Sequence, residues 1–270
     1  MNNGARTRGA RPVTNRQLAF KAASCLGVVL VLVLWQLLAV VLRTGVLPSF
    51  TVTASAAVSL LRGPELSADI LPSIGRALIG FLIASAIGIA IGLVLGHIRW
   101  LGSYCSAVLD YGRSVPSPLL VPLAIVVFGE GSRMVIVMIV VAVVWPVLVN
   151  AWDGVRRIEP LYLDAARACG LHGRAIFTHV LIPATLPPIF AGLRLALSTS
   201  LLVLVVAEYL GGNSGIGFLM SQAQQNFQIS DVFACALILI VLGWLFDTVF
   251  LFAERRLLRW EKIKAAALYV

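Results

Sequence analysis

Inside the long apolar runs of this 270-residue chain lie ionised side chains that hydrocarbon tolerates only beside a partner or water. Asp110 and Arg113 are three positions apart, so on one helix they can neutralise each other. Glu208 and Asp247 have no opposite charge at such a spacing. Glu208 reads as a pathway or gate residue, narrowly ahead of a structural hydrogen-bond partner, and Asp247, close to the end of its run, as a structural one. Arg76 and Arg194 lie near run ends, where a long side chain can reach the interface.

Other chemistries fit the residues less well. Gly212-Asn213-Ser214-Gly215 matches the G-x-S-G pattern of an intramembrane serine protease, which needs a histidine within hydrogen-bond reach. His97, His172 and His179 all fall in segments on the opposite side of the membrane from Ser214. A proton-coupled secondary transporter would need a relay of intramembrane carboxylates or histidines, and the sequence shows neither that nor an internal repeat. The chain has no G-x-x-x-x-G-K-[ST] stretch to cradle ATP phosphates, and no cofactor is expected in it. Cys25, Cys105, Cys169 and Cys235 are scattered, so packing residues are expected rather than a disulfide framework or metal site.

The elements that hold these residues are membrane spans. With 60% hydrophobic residues, 12% charged residues and a mean hydropathy of +0.96, the chain predicts an all-α, polytopic helical bundle. Six spans are expected, at about 22–42, 73–96, 104–128, 133–151, 188–210 and 232–252. The first run is too long for the apolar core of a signal peptide and should remain as a span. Basic residues orient the bundle: Arg6, Arg8, Arg11, Arg16, Lys21, Arg99, Arg156, Arg157, Arg167, Arg174, Arg255, Arg256, Arg259, Lys262 and Lys264 share one side, against Arg62 and Arg133. Both termini are therefore expected in the cytoplasm, and the net charge of +9 requires no nucleic-acid partner. The division predicted is a disordered cytoplasmic tail at 1–21, a six-span domain at 22–255 and a cytoplasmic tail at 256–270.

Three local patterns refine the spans. Gly88, Gly92 and Gly96 form overlapping G-x-x-x-G steps, a seam for a neighbouring helix that is more simply intrachain packing than a dimer contact. Pro116 and Pro118, with Pro122 beyond, break the third span, which either lines a cavity or is merely kinked. From Gly211 to Asp231 the chain is glycine-rich and polar, and reads as a loop on the outer side.

Between the fourth and fifth spans runs a polar stretch with four arginines and three carboxylates, Trp152 to Pro187. Pro160 suits the first turn of a short helix and Gly170 the left-handed position that ends it. A second amphipathic piece, Arg174 to Ile182, is expected to stop at Pro183. Asp164, Ala165, Ala166, Gly170, Val180, Ile182 and Pro183 keep the spacing of a signature loop, with Asp, Val and Ile standing where the pattern has Glu, Ile and Leu. On these residues the chain resembles the transmembrane permeases of ATP-binding-cassette importers of the type I fold.

The resemblance implies that the 153–187 loop carries a coupling helix docking on a separate cytoplasmic ATPase that binds ATP and Mg. It also implies a homodimer of permeases, two such ATPases, an extracytoplasmic binding protein and an inner-membrane location. The coupling positions implied are Glu159, Asp164, Ala165, Ala166, Gly170, Leu171 and Pro183, and the pathway or gate positions Pro116, Pro118, Glu208, Gly215 and Gly217. Ala207-Glu208 with Gly215-Ile216-Gly217-Phe218, and Val115-Pro116 through Phe128-Gly129, resemble the sulfonate, taurine and nitrate branch. A small anion is the substrate that branch implies, although a thiamine or pyrimidine precursor is compatible.

Overall fold

The computed structural model describes residues 13–42 and 47–258, all in helices and short connections. In chain order the helices are α1 (Val13–Leu42), α2 (Phe50–Arg62), α3 (Leu71–His97), α4 (Arg99–Ser114), α5 (Val121–Phe128) and α6 (Ser132–Arg156). There follow α7 (Pro160–Ala168), α8 (Arg174–Ile176), α9 (Ile182–Gly211), α10 (Ile216–Gln225) and α11 (Ile229–Leu257). Among the described residues four stretches are long and apolar enough to cross a membrane: Leu66–His97, Ser132–Arg156, Arg174–Gly211 and Ile229–Leu257. Tyr104–Ser114 and Ser117–Phe128, bent by 80°, make a fifth if they count as one span. Within the expected first span, Val29–Val41 forms a shorter apolar helix.

Helices α3, α6 and α9 form the centre. Ala77, Ala84, Met138, Val143, Ala196 and Val203 meet there, all buried. Small residues let α3 and α6 approach to backbone contact. A methyl group built on Gly92 would stand 2.6 Å from the Leu148 carbonyl oxygen and 2.7 Å from the Ala151 Cβ. Gly80 and Gly88 face Ile139 and Val147 in the same way, and Gly96 faces Val155. The G-x-x-x-G face is therefore spent on intrachain packing. Gly92→Val should lower stability by about 1–3 kcal/mol through overpacking, read as a drop in Tm of the detergent-purified protein.

Two expectations are overturned. Pro183 does not end a helix. Phe177–Leu181 forms a wide turn in which the Ile182 N–H bonds to the Phe177 carbonyl, five residues back. That places Pro183 in the first turn of α9, where its missing N–H is no loss, and the fifth apolar helix starts at Arg174 instead of near 188. The Thr185 hydroxyl donates to the Leu181 and Ile182 carbonyls, both at 2.9 Å. Nor is 211–231 a loop, since its middle is α10, packed on α9 and α11.

Candidate functional site

At the end of the bundle away from α7, the first turn of α10 rests on a buried polar knot. A helix start leaves N–H groups without intrahelical acceptors, and here three side chains from other helices take them. The Gly215 N–H donates to Asp69 Oδ1 at 2.8 Å, that of Ile216 to Ser73 Oγ at 2.9 Å, and that of Gly217 to Glu208 Oε2 at 3.2 Å. Glu208 is completely buried and Arg76 is 6% exposed, with Nη1 of Arg76 2.7 Å from Glu208 Oε1. The Ser73 hydroxyl donates to the same carboxylate. Arg76 also donates from Nε to Ser132 Oγ at 3.0 Å, from Nη1 to the Ser214 carbonyl at 2.8 Å, and from Nη2 to Ser214 Oγ.

Glycine is required where α10 meets the carboxylate. Gly215 has φ +120°, and a Cβ there would collide with the Glu208 carboxyl group. A Cβ on Gly217 would collide with the Val205 carbonyl oxygen. Glu208, Gly215 and Gly217 are thus brought together. The Ser214 hydroxyl accepts from Arg76, and among the described residues no histidine is bonded to it, so the dyad that the protease reading needs is not formed.

The ion pairs differ from the sequence expectation. Glu208 lacks a partner only in sequence, because Arg76 is 132 residues away along the chain. Arg76 points inward and does not reach for the interface. Asp247 is held by Arg194 through Nε at 2.8 Å and Nη2 at 3.1 Å, so this arginine too is bound and not snorkelling. Asp69, Ser73 and Ser132 were not singled out from the sequence, and Arg76 only as an arginine that reaches the interface. A signal existed: Asp69, Ser73 and Arg76 recur at four and three positions, one polar stripe on an otherwise apolar helix.

At the opposite end, α7 starts with Pro160 in its first turn after Glu159 and ends in a Schellman arrangement. The Leu171 N–H bonds to the Ala166 carbonyl at 3.0 Å and that of Gly170 to Arg167 at 2.9 Å, with Gly170 at φ +81°. Glu159, Leu161, Tyr162, Asp164 and Ala165 are exposed, and Asp164 pairs with Arg167 at 3.0 Å. Ala166 is 8% exposed and faces the chain's own bundle, while Leu171 is half-buried. Pro183 lines a groove of about 630 Å³ beside α7, with Arg157, Glu159, Tyr162, His179 and Pro187.

Between these ends lies a cavity of about 450 Å³ at the break between α4 and α5. Val115 and Pro116 are extended, Ser117–Leu120 makes one tight turn, and Pro116 and Pro118 both line the space. Arg113, Trp145, Asn150 and Thr199 line it as well. Trp145 is halfway along the 25-residue α6, about 17–20 Å from either end, so the cavity lies level with the middle of that helix.

Residues 84–259 match the family described as binding-protein-dependent transport system inner membrane component. The chain is 35% identical over 233 residues to SsuC of Escherichia coli, whose name assigns it to aliphatic sulfonates transport as a permease. That match covers 86% of this chain and 89% of SsuC. It is 34% identical over 188 residues to the bicarbonate transport system permease protein CmpB of Synechococcus elongatus, covering 69% and 68% of the two chains. Among solved structures, one of the inward-facing MetNI methionine ABC transporter has the same fold at a TM-score of 0.54 and 20% identity. That likeness covers 70% of this chain and 94% of the other.

Proposed function

This chain belongs to the family of binding-protein-dependent transport system inner membrane components, and we propose that it provides half of a membrane pathway for a small anion. It is the permease component of an ATP-binding-cassette importer, a multi-pass inner-membrane protein and not itself the ATPase. Such a system includes an ATPase and a binding protein.

Our reading adds a homodimer of six-span permeases with two ATPases beneath it and the binding protein outside. The first span runs within 22–42, and both termini face the cytoplasm, because basic residues crowd that side against Arg62 and Arg133 on the other, a balance that Arg43, just past the first run and outside that count, does not alter. Residues 1–21 and 256–270 are cytoplasmic tails flanking the membrane domain. The short helix α7, with Glu159, Asp164, Ala165, Gly170, Leu171 and Pro183, is the coupling element. Ala166 supports it from behind. The knot around Glu208, with Gly215 and Gly217, is the outer gate, and the cavity at Pro116 and Pro118 is the path. Alkanesulfonates, taurine, nitrate and bicarbonate are the substrate candidates, the first and last through the relatives' names.

One observation carries this reading. The Asp110–Arg113 pair keeps 65% and 57% of its side-chain surface exposed beside the cavity level with the middle of α6. Charges at that depth cost roughly 2.5–3.5 kcal/mol each in lipid, so this face meets water or protein. Proteoliposomes holding permease, ATPase and binding protein should accumulate at least one of labelled ethanesulfonate, taurine, nitrate and bicarbonate only when ATP is supplied. Accumulation driven by a proton gradient without ATP would establish the secondary transporter instead. Uptake of none of the four would overturn the anion assignment.

A further inference from the structure

Arg76, Arg113 and Arg194 each pair with a carboxylate within the expected spans, and their partners divide them sharply. Arg76 spends Nε, Nη1 and Nη2 on Ser132, Glu208 and Ser214 and is almost wholly buried. Arg194 grips both oxygens of Asp247 with two nitrogens. Arg113 meets Asp110 through Nη2 alone, at 2.8 Å to one oxygen, and is the most exposed of the three. It is also the one ionisable residue, among those described, on the wall of the cavity at the broken span.

We propose that Arg113 is the anion-receiving group of the pathway and that Asp110 is its exchangeable counter-ion. The inference rests on the importer reading and deepens it. A guanidinium presents a planar fork of donors that matches two oxygens of a sulfonate, nitrate, bicarbonate or carboxylate. A passing oxyanion takes the place of Asp110 at Arg113 and is displaced by it on leaving. Between passages Asp110 neutralises the arginine, which makes a cation tolerable at this depth. The one-point contact is weak because both partners are more than half solvated, so a two-point ligand can compete with it. Competition by a tethered carboxylate also keeps the anion from lodging, as a conducting site requires. About 450 Å³ suits a small organic anion, with Trp145, Pro116 and Leu195 as apolar walls for a short alkyl group and Asn150 and Thr199 as polar ones.

The test uses the assembled transporter in lipid with a cysteine introduced by Thr199→Cys and the native cysteines replaced. Its reaction rates with an anionic methanethiosulfonate, the ethylsulfonate, and a cationic one, the trimethylammonium, report the charge seen inside the cavity. The anionic reagent should be favoured. Arg113→Gln should lower the anion-to-cation rate ratio about tenfold, Arg113→Lys should keep it within about threefold, and Asp110→Asn should raise it. Arg113→Gln should also cut ATP-driven anion uptake at least tenfold. A ratio indifferent to Arg113→Gln, or lowered by Asp110→Asn, overturns the role of Arg113 while leaving a water-filled path. If neither reagent reaches position 199, the cavity is dry, and the pathway reading falls together with this proposal.

Discussion

Glu208→Ala should destabilise the bundle by about 3–5 kcal/mol, because it leaves the Arg76 guanidinium buried without its counter-charge. The change also strands the Gly217 N–H and the Ser73 hydroxyl as a donor, since both of that hydroxyl's acceptor oxygens belong to Glu208. Unfolding of the purified permease, followed by heat or denaturant against wild type, measures the loss. Glu208→Gln preserves the shape but not the charge, and should fall between. Replacing both partners, Arg76→Met with Glu208→Leu, removes the stranded charge, so most of the stability should return. The double variant then separates two roles. If the knot latches α10, uptake should change although the fold is restored. Wild-type uptake in the double variant would leave the knot as scaffolding. A loss under 1 kcal/mol for Glu208→Ala would mean that water reaches Arg76 readily, against the observed burial.

Ala165→Trp should abolish ATP-driven uptake and weaken co-purification of the ATPase, with the permease still inserted at normal levels. Ala165 is exposed on α7, and an indole there meets nothing within the chain and clashes only with a close-fitting partner. Gly170→Val attacks the same element through its backbone. No atom lies within 4 Å of a Cβ at that position, so the penalty is the left-handed φ of +81° alone, roughly 1–2 kcal/mol. It should loosen the end of α7 and reduce coupling without touching the bundle. Ala166→Trp is a different experiment, since that side chain faces inward and its enlargement should push α7 off its own support. Normal uptake and ATPase binding in both Ala165→Trp and Gly170→Val would reduce the segment to a linker.

Local punctuation in the sequence was a good guide where the physics is local. Pro160 and Gly170 bracket α7 because a missing N–H and a positive φ each have one cheap place in a helix. Apolar runs found the central helices for the same reason, and the paired prolines marked the bend beside the cavity. Partnerships across the fold were invisible. Nothing near Glu208 in sequence points to Arg76, and Asp247 gave no hint of Arg194. Helix α10 was hidden because its start is held by Asp69, Ser73 and Glu208 rather than by a cap of its own. Pro183 misled for a related reason: the wide turn before it has no signature in residue type, yet decides whether a proline ends a helix or opens one. Whether Ala165 or Ala166 faces out depends on how α7 leans on the bundle, which the spacing of small residues leaves open.

The glycine seam between α3 and α6 has a mechanical meaning. From Gly80 to Gly96, about 24 Å along the axis, the four glycines of α3 meet only the stiff, short or β-branched side chains of Ile139, Val147, Ala151 and Val155 and the backbone of α6. β-Branched side chains held against glycine leave little cushion to compress, and sliding would drive each ridge over the next. The pair behaves as a splinted beam. If α7 is the coupling element, a stroke delivered where α6 runs into it would reach the Arg76 end of α3 as displacement. Gly92→Val would insert a wedge into that beam, and its effect on uptake should exceed what its loss of stability alone accounts for.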